Sequence, residues 1–210
     1  DLKFKAVEVT DQFVKKPFGA ERPASVDAQP VEQFAEDRRS VMVVHGRDSG
    51  MRKSMFEFLR AVDLRPLEWT ELVSSVSAGA PYVGEVLDSA FAKAQAVVVL
   101  MTPDDLARLR PELLPEGDPD REGLLQAQPR PNVFLEAGMA IGRFPALSIL
   151  AEAGPMRPAS DLAGRHTIRL DSGPEWRRDL AQRLENAGCL VKTDGTDWLT
   201  AGAFEVPIPP

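Results

Sequence analysis

One carboxylate, Glu136, lies inside an almost wholly apolar stretch at residues 133–141, within the sequence PNVFLEAGMAIGRF. The spacing predicts a helix with Asn132 as its N-cap, and the helical neighbours of Glu136 at three and four positions include no basic residue. An ionised carboxylate in an apolar setting is costly unless it is hydrogen-bonded, and its pKa tends to rise. Because such groups concentrate in active sites, Glu136 is a candidate catalytic residue. The simpler alternative is that Glu136 faces solvent or accepts hydrogen bonds from nearby backbone amides.

The segment HGRDSGMRK, which begins at His45, combines a glycine, several cations and a predicted helix start with Ser49 as N-cap. A helix N-terminus with free amides and nearby cations, here Arg47, Arg52 and Lys53, suits a phosphate or pyrophosphate group. The segment is neither a Walker loop nor a GxGxxG pattern. An ordinary strand-to-helix turn with solvated charges explains it equally well.

The segment TPDD places Thr102, Asp104 and Asp105 directly after the apolar run AVVVLM. Helix capping is the favoured interpretation, with Thr102 or Asp104 starting a helix and Asp105 favouring its dipole. The functional interpretation is a carboxylate that faces a ribose or an amide. Trp69 ends another predicted strand on the side where a ligand would lie, whereas the other two tryptophans are expected to be packing residues.

Alternating strands and helices must position these residues. Apolar runs predict strands in VMVVHG, RPLEW, AVVVLM, ALSILAEAG and HTIRL, and helical spacing predicts helices in SGMRKSMFEFLRAVDL, APYVGEVLDSAFAKA, NVFLEAGMAIGRF and PEWRRDLAQRLENAG. This alternation predicts an α/β fold with a parallel sheet covered by helices on both faces. In such a sheet the ligand site lies outside the carboxyl ends of the strands, which selects the loops HGRDSG, WTE and TPDD.

Prolines and glycines mark the irregular parts of the chain. Residues 1–40 bring prolines among charged and small residues, which predicts an N-terminal extension or linker ahead of a domain at residues 41–206. Five prolines between Pro111 and Pro131 mark a long irregular insertion of the kind that forms lids or binding loops. Gly138 and Gly142 predict that another backbone approaches the Glu136 helix closely.

Composition excludes several classes of protein. A net charge of −7 with 43% hydrophobic residues fits a globular protein and gives no support to a nucleic-acid or anionic-membrane surface. No apolar run approaches the roughly 20 residues that span a bilayer, and no signal-peptide pattern is present. The single cysteine, Cys189, excludes an internal disulfide and predicts a cytoplasmic location. With two histidines and one cysteine, no metal site is expected.

Five stretches occur in a characteristic order: VMVVHGRDSGMRKSMFEFLRAVDLRPLEW, AVVVLMTPDDLA, QPRPNVFLEAGMAIGRF, SDLAGRHTIRLD and GTDWLTAGAF. The ordered set resembles the bacterial TIR-like (Toll/interleukin-1 receptor-like) domains of the predicted nucleotide-binding type, as found in STING-linked and Pycsar anti-phage effectors. The resemblance covers residues 41 to about 204 and does not extend to residues 1–40.

The resemblance implies a flavodoxin-like TIR fold and an NADase that cleaves NAD+ at the nicotinamide–ribose bond, with NAD+ as substrate and no cofactor. The family helix carries an Asn-Val-x-x-Glu-x-Gly pattern whose Glu is catalytic, matched here by Asn132, Val133, Glu136 and Gly138. Pocket-lining positions of the family are matched by His45, Gly46, Arg47, Asp48, Asp104 and Asp105, and a basic position before the Asn is matched by Arg130. Together with Trp69 and Asn132 these form the expected NAD-binding set. Pro131 replaces an expected Gln, which alters the hydrogen bonding before the helix but leaves the Glu in place.

The chemistry of NAD cleavage agrees with a single carboxylate. Nicotinamide in NAD+ is a cationic leaving group, so it departs without a strong general acid and leaves positive charge on the ribose, much as in glycoside hydrolysis. A carboxylate fixed near that ribose stabilises the charge or holds the hydroxyls. The resemblance further implies self-association, often triggered by an upstream sensor domain or a cyclic-nucleotide-linked activator.

Two other functions stay open at this stage. A nucleoside deoxyribosyltransferase-like enzyme also uses a parallel sheet and a carboxylate near a ribosyl carbon. A non-catalytic TIR interaction module would assemble through its surfaces and turn over nothing, because fold alone does not confer activity.

Overall fold

The computed structural model describes residues 37–67, 72, 89–117, 122–162 and 164–204, which all belong to one compact unit, Phe34–Pro210. The predicted N-terminal extension as far as residue 36, the WTE loop with Trp69, and most of the helix predicted in APYVGEVLDSAFAKA lie outside the described residues. The helical residues 89–93 are the described part of that last element.

The described chain contains seven strands and three α-helices that we number in order. The strands are β1 (Ser40–His45), β2 (Arg65–Pro66), β3 (Ala96–Met101), β4 (Asp105–Ala107), β5 (Gln126–Gln128), β6 (Ser148–Ala153) and β7 (Ile168–Leu170). The helices are α1 (Ser49–Ala61), α2 (Pro131–Arg143) and α3 (Glu175–Asn186).

Five strands form one parallel sheet in the order β2-β1-β3-β6-β7. The predicted α/β, flavodoxin-like TIR fold is therefore confirmed. β3 is the central strand, with β1 beside it on one side and β6 on the other, and every residue of β3 is buried. Strands buried on both faces read as continuous apolar runs, which is why the sequence predicted β1 and β3 well.

Each face of the sheet carries its own core. Val41 and Val43 of β1 face a cluster with α1 and α3, whereas Met42 and Val44 face a second cluster with α2 and the helical residues 89–93. This alternation follows the two-residue period of a strand. The helices therefore cover both faces of the sheet, as expected, and α2 packs against β1 and β3.

The helix starts differ from the sequence predictions in two places. Asp48, not Ser49, is the N-cap of α1, because its side chain accepts a hydrogen bond of 2.9 Å from the backbone N–H of Met51. Asn132 is not the N-cap of α2, because the helix begins at Pro131 with Arg130 before it. Proline is pre-organised for the first helical position, where its missing N–H costs nothing.

The proline-rich insertion is more regular than the sequence predicted. β5, inside the insertion, pairs with β4, just ahead of the insertion, as a two-stranded antiparallel sheet with Leu106 opposite Ala127. A 3-10 turn at Pro111–Leu113 follows β4. The expected helix after TPDD is also wrong, because the strand β4 begins there instead.

The C-terminal segment is held to the α1–α3 face by a buried arginine. Arg177 is only 3% exposed, and its guanidinium donates to the carbonyl oxygens of Gly173 (2.7 Å), Ala201 (3.0 and 3.1 Å) and Gly202 (2.8 Å). It also lies over the ring of Trp176, 4.4 Å from the centroid. A buried charge is tolerated only with such a full set of partners.

Cys189 packs into the same core. It is only 3% exposed, and burial raises the pKa of its thiol to about 12. The described helices all fall short of the length and apolarity that a membrane crossing requires.

Candidate functional site

The loops after β1 and β3 are joined at the carboxyl edge of the sheet by Asp104. The backbone N–H of Arg47 donates a short hydrogen bond to the Asp104 carboxylate. The backbone N–H of Asp104 itself donates to the carbonyl oxygen of Thr102 at 2.8 Å. Asp104 therefore fixes one loop against the other, which replaces the helix-capping role that sequence reasoning favoured.

Gly46 allows this close approach. A Cβ atom at Gly46 would collide with the carboxylate of Asp104 and would lie 3.3 Å from the side-chain oxygen of Thr102. His45 completes the turn, with its Nδ1 atom 2.9 Å from the carbonyl oxygen of Gly46. Any side chain at position 46 would therefore displace the Asp104 carboxylate from its place against the loop.

The first loop offers fewer free groups for a phosphate than its sequence indicated. The Asp48 carboxylate is engaged in capping α1. The guanidinium of Arg52 lies 5.5 Å from the centroid of the Phe56 ring. Arg47 is exposed at the turn.

The start of α2 is linked to the same edge of the sheet. The Nε atom of Arg130 lies 3.8 Å from an Asp105 carboxylate oxygen, and both side chains are partly exposed. Asn132, at the second helical position, is exposed. The residues after β3 thus contact both the first loop, through Asp104, and the entry to α2, through Asp105.

Glu136 lies half-buried on α2. Burial raises the pKa of its carboxyl above the ordinary value for glutamate. Within the described residues, no hydrogen bond or ion pair satisfies this carboxylate. The alternative of a fully solvated side chain is therefore excluded, and so is that of a carboxylate bound by backbone amides of the described chain.

The two borders of the buried stripe of α2 differ in character. Val133, Ala137 and Ala140 form the stripe that packs on the sheet. At about 100° per residue, Glu136 lies beside Val133 and Ala140 on one border, whereas Phe134 lies beside Ala137 on the other.

The border opposite Glu136 opens into a cavity of about 660 Å³. Its walls include Phe134, Gly138 and Ile141 from α2, and Arg157, Ser160 and Arg165 from the segment after β6. Sequence reasoning missed this cavity. The available signal was Gly138, a glycine in the middle of a helix.

The glycines of α2 do not mark a close backbone approach. Among the residues that the structure describes, a Cβ atom at Gly138 or at Gly142 would meet nothing within 4 Å beyond its own helix and chain neighbours. The expectation drawn from these two glycines is therefore wrong. A helix interior has no conformational need for glycine, and of these two glycines it is Gly138 that borders the cavity.

The structure brings the predicted loop residues together with Arg130 at one edge of the sheet. Asp104 contacts the loop of His45, Gly46, Arg47 and Asp48, and Asp105 pairs with Arg130. Asn132 and Glu136 lie in the first two turns of α2, the helix that Arg130 precedes. Trp69 lies outside the described residues, so its role stays a prediction.

Comparison with known proteins identifies the chain's relatives. The family model described as CAP12/Pycsar effector protein, TIR domain, matches residues 40–172, which is more than half of the 210-residue chain. The match runs from the start of β1 to just beyond β7, and it includes α2 with Glu136. No curated protein sequence matches the chain.

Proposed function

The chain belongs to the TIR-domain family of CAP12/Pycsar effector proteins and is thus a TIR module of the anti-phage effector type; from this premise we propose that it is an NAD+ glycohydrolase. The reaction breaks the bond between C1′ of the ribose and the nicotinamide nitrogen. Water adds at C1′, nicotinamide leaves with the bonding electron pair, and a proton is released.

The environment of Glu136 is the observation that carries the proposal. The carboxylate is half-buried, its pKa is raised by burial, and no partner in the described chain compensates it. Such an arrangement destabilises the ionised form in the free protein. It becomes favourable when positive charge develops nearby, as on a ribosyl carbon that is losing nicotinamide.

In this mechanism Glu136 acts as a fixed negative charge. Nicotinamide departs as a neutral base, so its departure requires no proton from the protein. The carboxylate stabilises the oxocarbenium-like ribose or accepts hydrogen bonds from the ribose hydroxyls. The approaching cationic substrate favours the ionised carboxylate and so offsets the pKa increase that burial causes.

The edge of the sheet supplies the remaining groups of the proposed site. Asp104 holds the turn at Gly46 and Arg47, and Asp105 pairs with Arg130 at the entry to α2. The exposed Arg47 is the group best suited to the pyrophosphate of NAD+. Asp104 acts through the loop that it fixes, so we assign it a positioning role.

Exposed leucines support self-association as part of the same proposal. Leu106, Leu113, Leu124 and Leu125 are 62%, 53%, 48% and 61% exposed; the last three lie in the insertion, and Leu106 lies on β4, which pairs with β5 of the insertion. Apolar side chains concentrated on one exposed segment are typical of interaction surfaces.

The decisive experiment is chromatography of NAD+ after incubation with the wild-type chain and with Glu136→Gln. Both proteins are assayed free and with self-association forced by a bivalent antibody against an N-terminal tag. We expect nicotinamide release by the wild type and a loss of about 100- to 1,000-fold in the variant, the range found when one preorganised electrostatic contact is removed.

Glu57→Gln provides the matched control. Glu57 lies on α1, across the sheet from α2, and makes only an exposed contact of 3.9 Å with Lys53. This variant should retain the wild-type rate. Equal NAD+ consumption by Glu136→Gln and wild type would refute the assignment.

The competing functions give different results in the same assay. A deoxyribosyltransferase-like enzyme would exchange bases between deoxynucleosides and leave NAD+ intact. A non-catalytic interaction module would show no nicotinamide release even with forced association. Either outcome would overturn the proposed NAD+ cleavage while leaving the family assignment unchanged.

A further inference from the structure

The cavity beside α2 is separate from the proposed catalytic residue. Phe134, Gly138 and Ile141 line it, and they occupy the border of the helix opposite Glu136. Its volume of about 660 Å³ is in the range of small-molecule sites. Nothing in the proposed NAD+ reaction uses this space.

The cavity brings two arginines together in a protein whose net charge is −7. Among the described side chains that line it are two arginines, Arg157 and Arg165, and no carboxylate. Gln128 and Ser160 add an amide and a hydroxyl to the lining. This combination recognises a phosphate or carboxylate group.

The two arginines have different roles. The side chain of Arg157 is ion-paired with Glu122, and its backbone N–H donates to the carbonyl oxygen of Ala127 at 2.8 Å. These contacts fix the segment after β6 against β5. Arg165 is exposed, and its guanidinium has no ion-pair partner among the described side chains. Arg165 is therefore the cation left for a ligand.

The opposite wall is apolar and is kept open by a glycine. Phe134 and Ile141 are partly buried on α2, with Gly138 between them on the same border. Glycine is less stable than alanine in a helix interior, and no atom of the described chain outside α2 lies within 4 Å of the point where a side chain at position 138 would begin. The missing side chain therefore widens the cavity, and an aromatic ring beside it favours a flat ligand.

We infer that this cavity is a second ligand site that binds a nucleoside monophosphate. The phosphate is held by Arg165 with Gln128 and Ser160, and the base lies against Phe134 and Ile141 over Gly138. The site requires no reaction and no metal. It adds a binding function to the domain that does not depend on NAD+ cleavage.

The test is isothermal titration of the full 210-residue chain with AMP and UMP, beside adenosine and inorganic phosphate. We expect at least one nucleotide to bind, with adenosine and phosphate at least about tenfold weaker, because each lacks one half of the recognised group. Equal affinity for inorganic phosphate and both nucleotides, or no binding of either nucleotide, would overturn the inference.

Gly138→Leu and Gly142→Leu form a matched pair on one helix. Leucine at 138 fills the cavity and should abolish nucleotide binding, whereas leucine at 142, which does not line the cavity, should leave it unchanged. Neither new Cβ meets an atom of the described chain outside α2 within 4 Å, so both variants should fold, which thermal unfolding will check. Equal nucleotide affinity in the two variants would contradict the proposed position.

Arg165→Gln and Glu136→Gln complete the design. Because Arg165 is exposed, its replacement should leave the fold intact, weaken nucleotide binding at least about tenfold and leave adenosine binding unchanged. Glu136→Gln should bind the nucleotide like the wild type whether or not the chain cleaves NAD+. Loss of nucleotide binding in Glu136→Gln but not in Gly138→Leu would place the ligand on the other border of α2 and overturn the inference.

Discussion

Two charged side chains lie on helices that cover opposite faces of the sheet. The described chain supplies polar partners to one of them and none to the other. Arg177 on α3 is 3% exposed, donates hydrogen bonds to three carbonyl oxygens and lies over the Trp176 ring. Glu136 on α2 is half-buried and has no partner in the described chain. A charge that holds a structure together is satisfied by the protein itself. A charge left unsatisfied at a cost in stability points to a partner from outside.

Removal of the Arg177 side chain tests the charge that is fully hydrogen-bonded, and it should cause the largest loss of stability. Arg177→Ala leaves the carbonyl oxygens of Gly173, Ala201 and Gly202 without their donors and removes a ring contact. We expect a loss of about 3–5 kcal/mol in the free energy of unfolding, measured by urea denaturation.

Arg177→Lys is the control for that measurement. It retains the charge but cannot reproduce the planar fork of donors, so its stability should lie between those of wild type and Arg177→Ala. A loss below about 1 kcal/mol for Arg177→Ala would show that the C-terminal segment is held by other contacts.

Gly46→Ala tests whether the loop after β1 is held as firmly as the C-terminal segment that Arg177 contacts. The added methyl group displaces the Asp104 carboxylate and so weakens its hydrogen bond with the backbone N–H of Arg47. We expect the free energy of unfolding, measured by thermal denaturation, to fall by about 1–2 kcal/mol. This loss is smaller than for Arg177→Ala because only one polar contact is affected.

Gly50→Ala is the control for Gly46→Ala. A Cβ at Gly50 would lie 3.2 Å from one Asp48 oxygen, which is tight but does not collide. Gly50→Ala should therefore cost less than Gly46→Ala. Unchanged stability in Gly46→Ala would mean that Asp104 moves away at no cost and does not fix the loop.

Glu136→Gln should give the smallest effect on stability, with the opposite sign. The folded protein raises the pKa of this carboxyl, so folding favours the protonated form. The wild type is therefore penalised at pH 7, and the neutral variant should be more stable there by about 0.5–1 kcal/mol.

This gain should depend on pH in a defined direction. It is full at pH values above the raised pKa and disappears as the pH falls below the ordinary glutamate value of about 4.3, because Glu136 is then neutral in both states. Melting curves of both proteins from pH 4 to 8 will check it. A variant less stable than wild type at pH 7 would show that the carboxylate has a stabilising partner.

Elements with strong periodic patterns could be predicted from the sequence. The runs in β1 and β3 are continuous because both faces of these strands are buried, and α1 follows its apolar spacing closely. Glu136 also stood out locally, as one carboxylate in an apolar helix. In each of these cases the relevant physics acts within a few residues.

Contacts between distant parts of the chain could not be predicted in this way. The hydrogen bond from Arg47 to Asp104 joins residues 57 positions apart, so TPDD was interpreted as a helix cap. The cavity depends on the meeting of α2 with the segment after β6, which no local pattern records. The start of α2, however, could have been predicted locally. Proline is common at the first helical position, but Asn132 was preferred as the N-cap and Pro131 was placed outside the helix.

The burial of Cys189 has a practical consequence for observing this protein. A thiol with a pKa of about 12, 3% exposed, presents almost no thiolate to reagents at neutral pH. Because it is the only cysteine of the chain, a new cysteine introduced on the surface can carry a fluorescent label at a single known point. Movements around α2 can then be followed by fluorescence without first replacing Cys189.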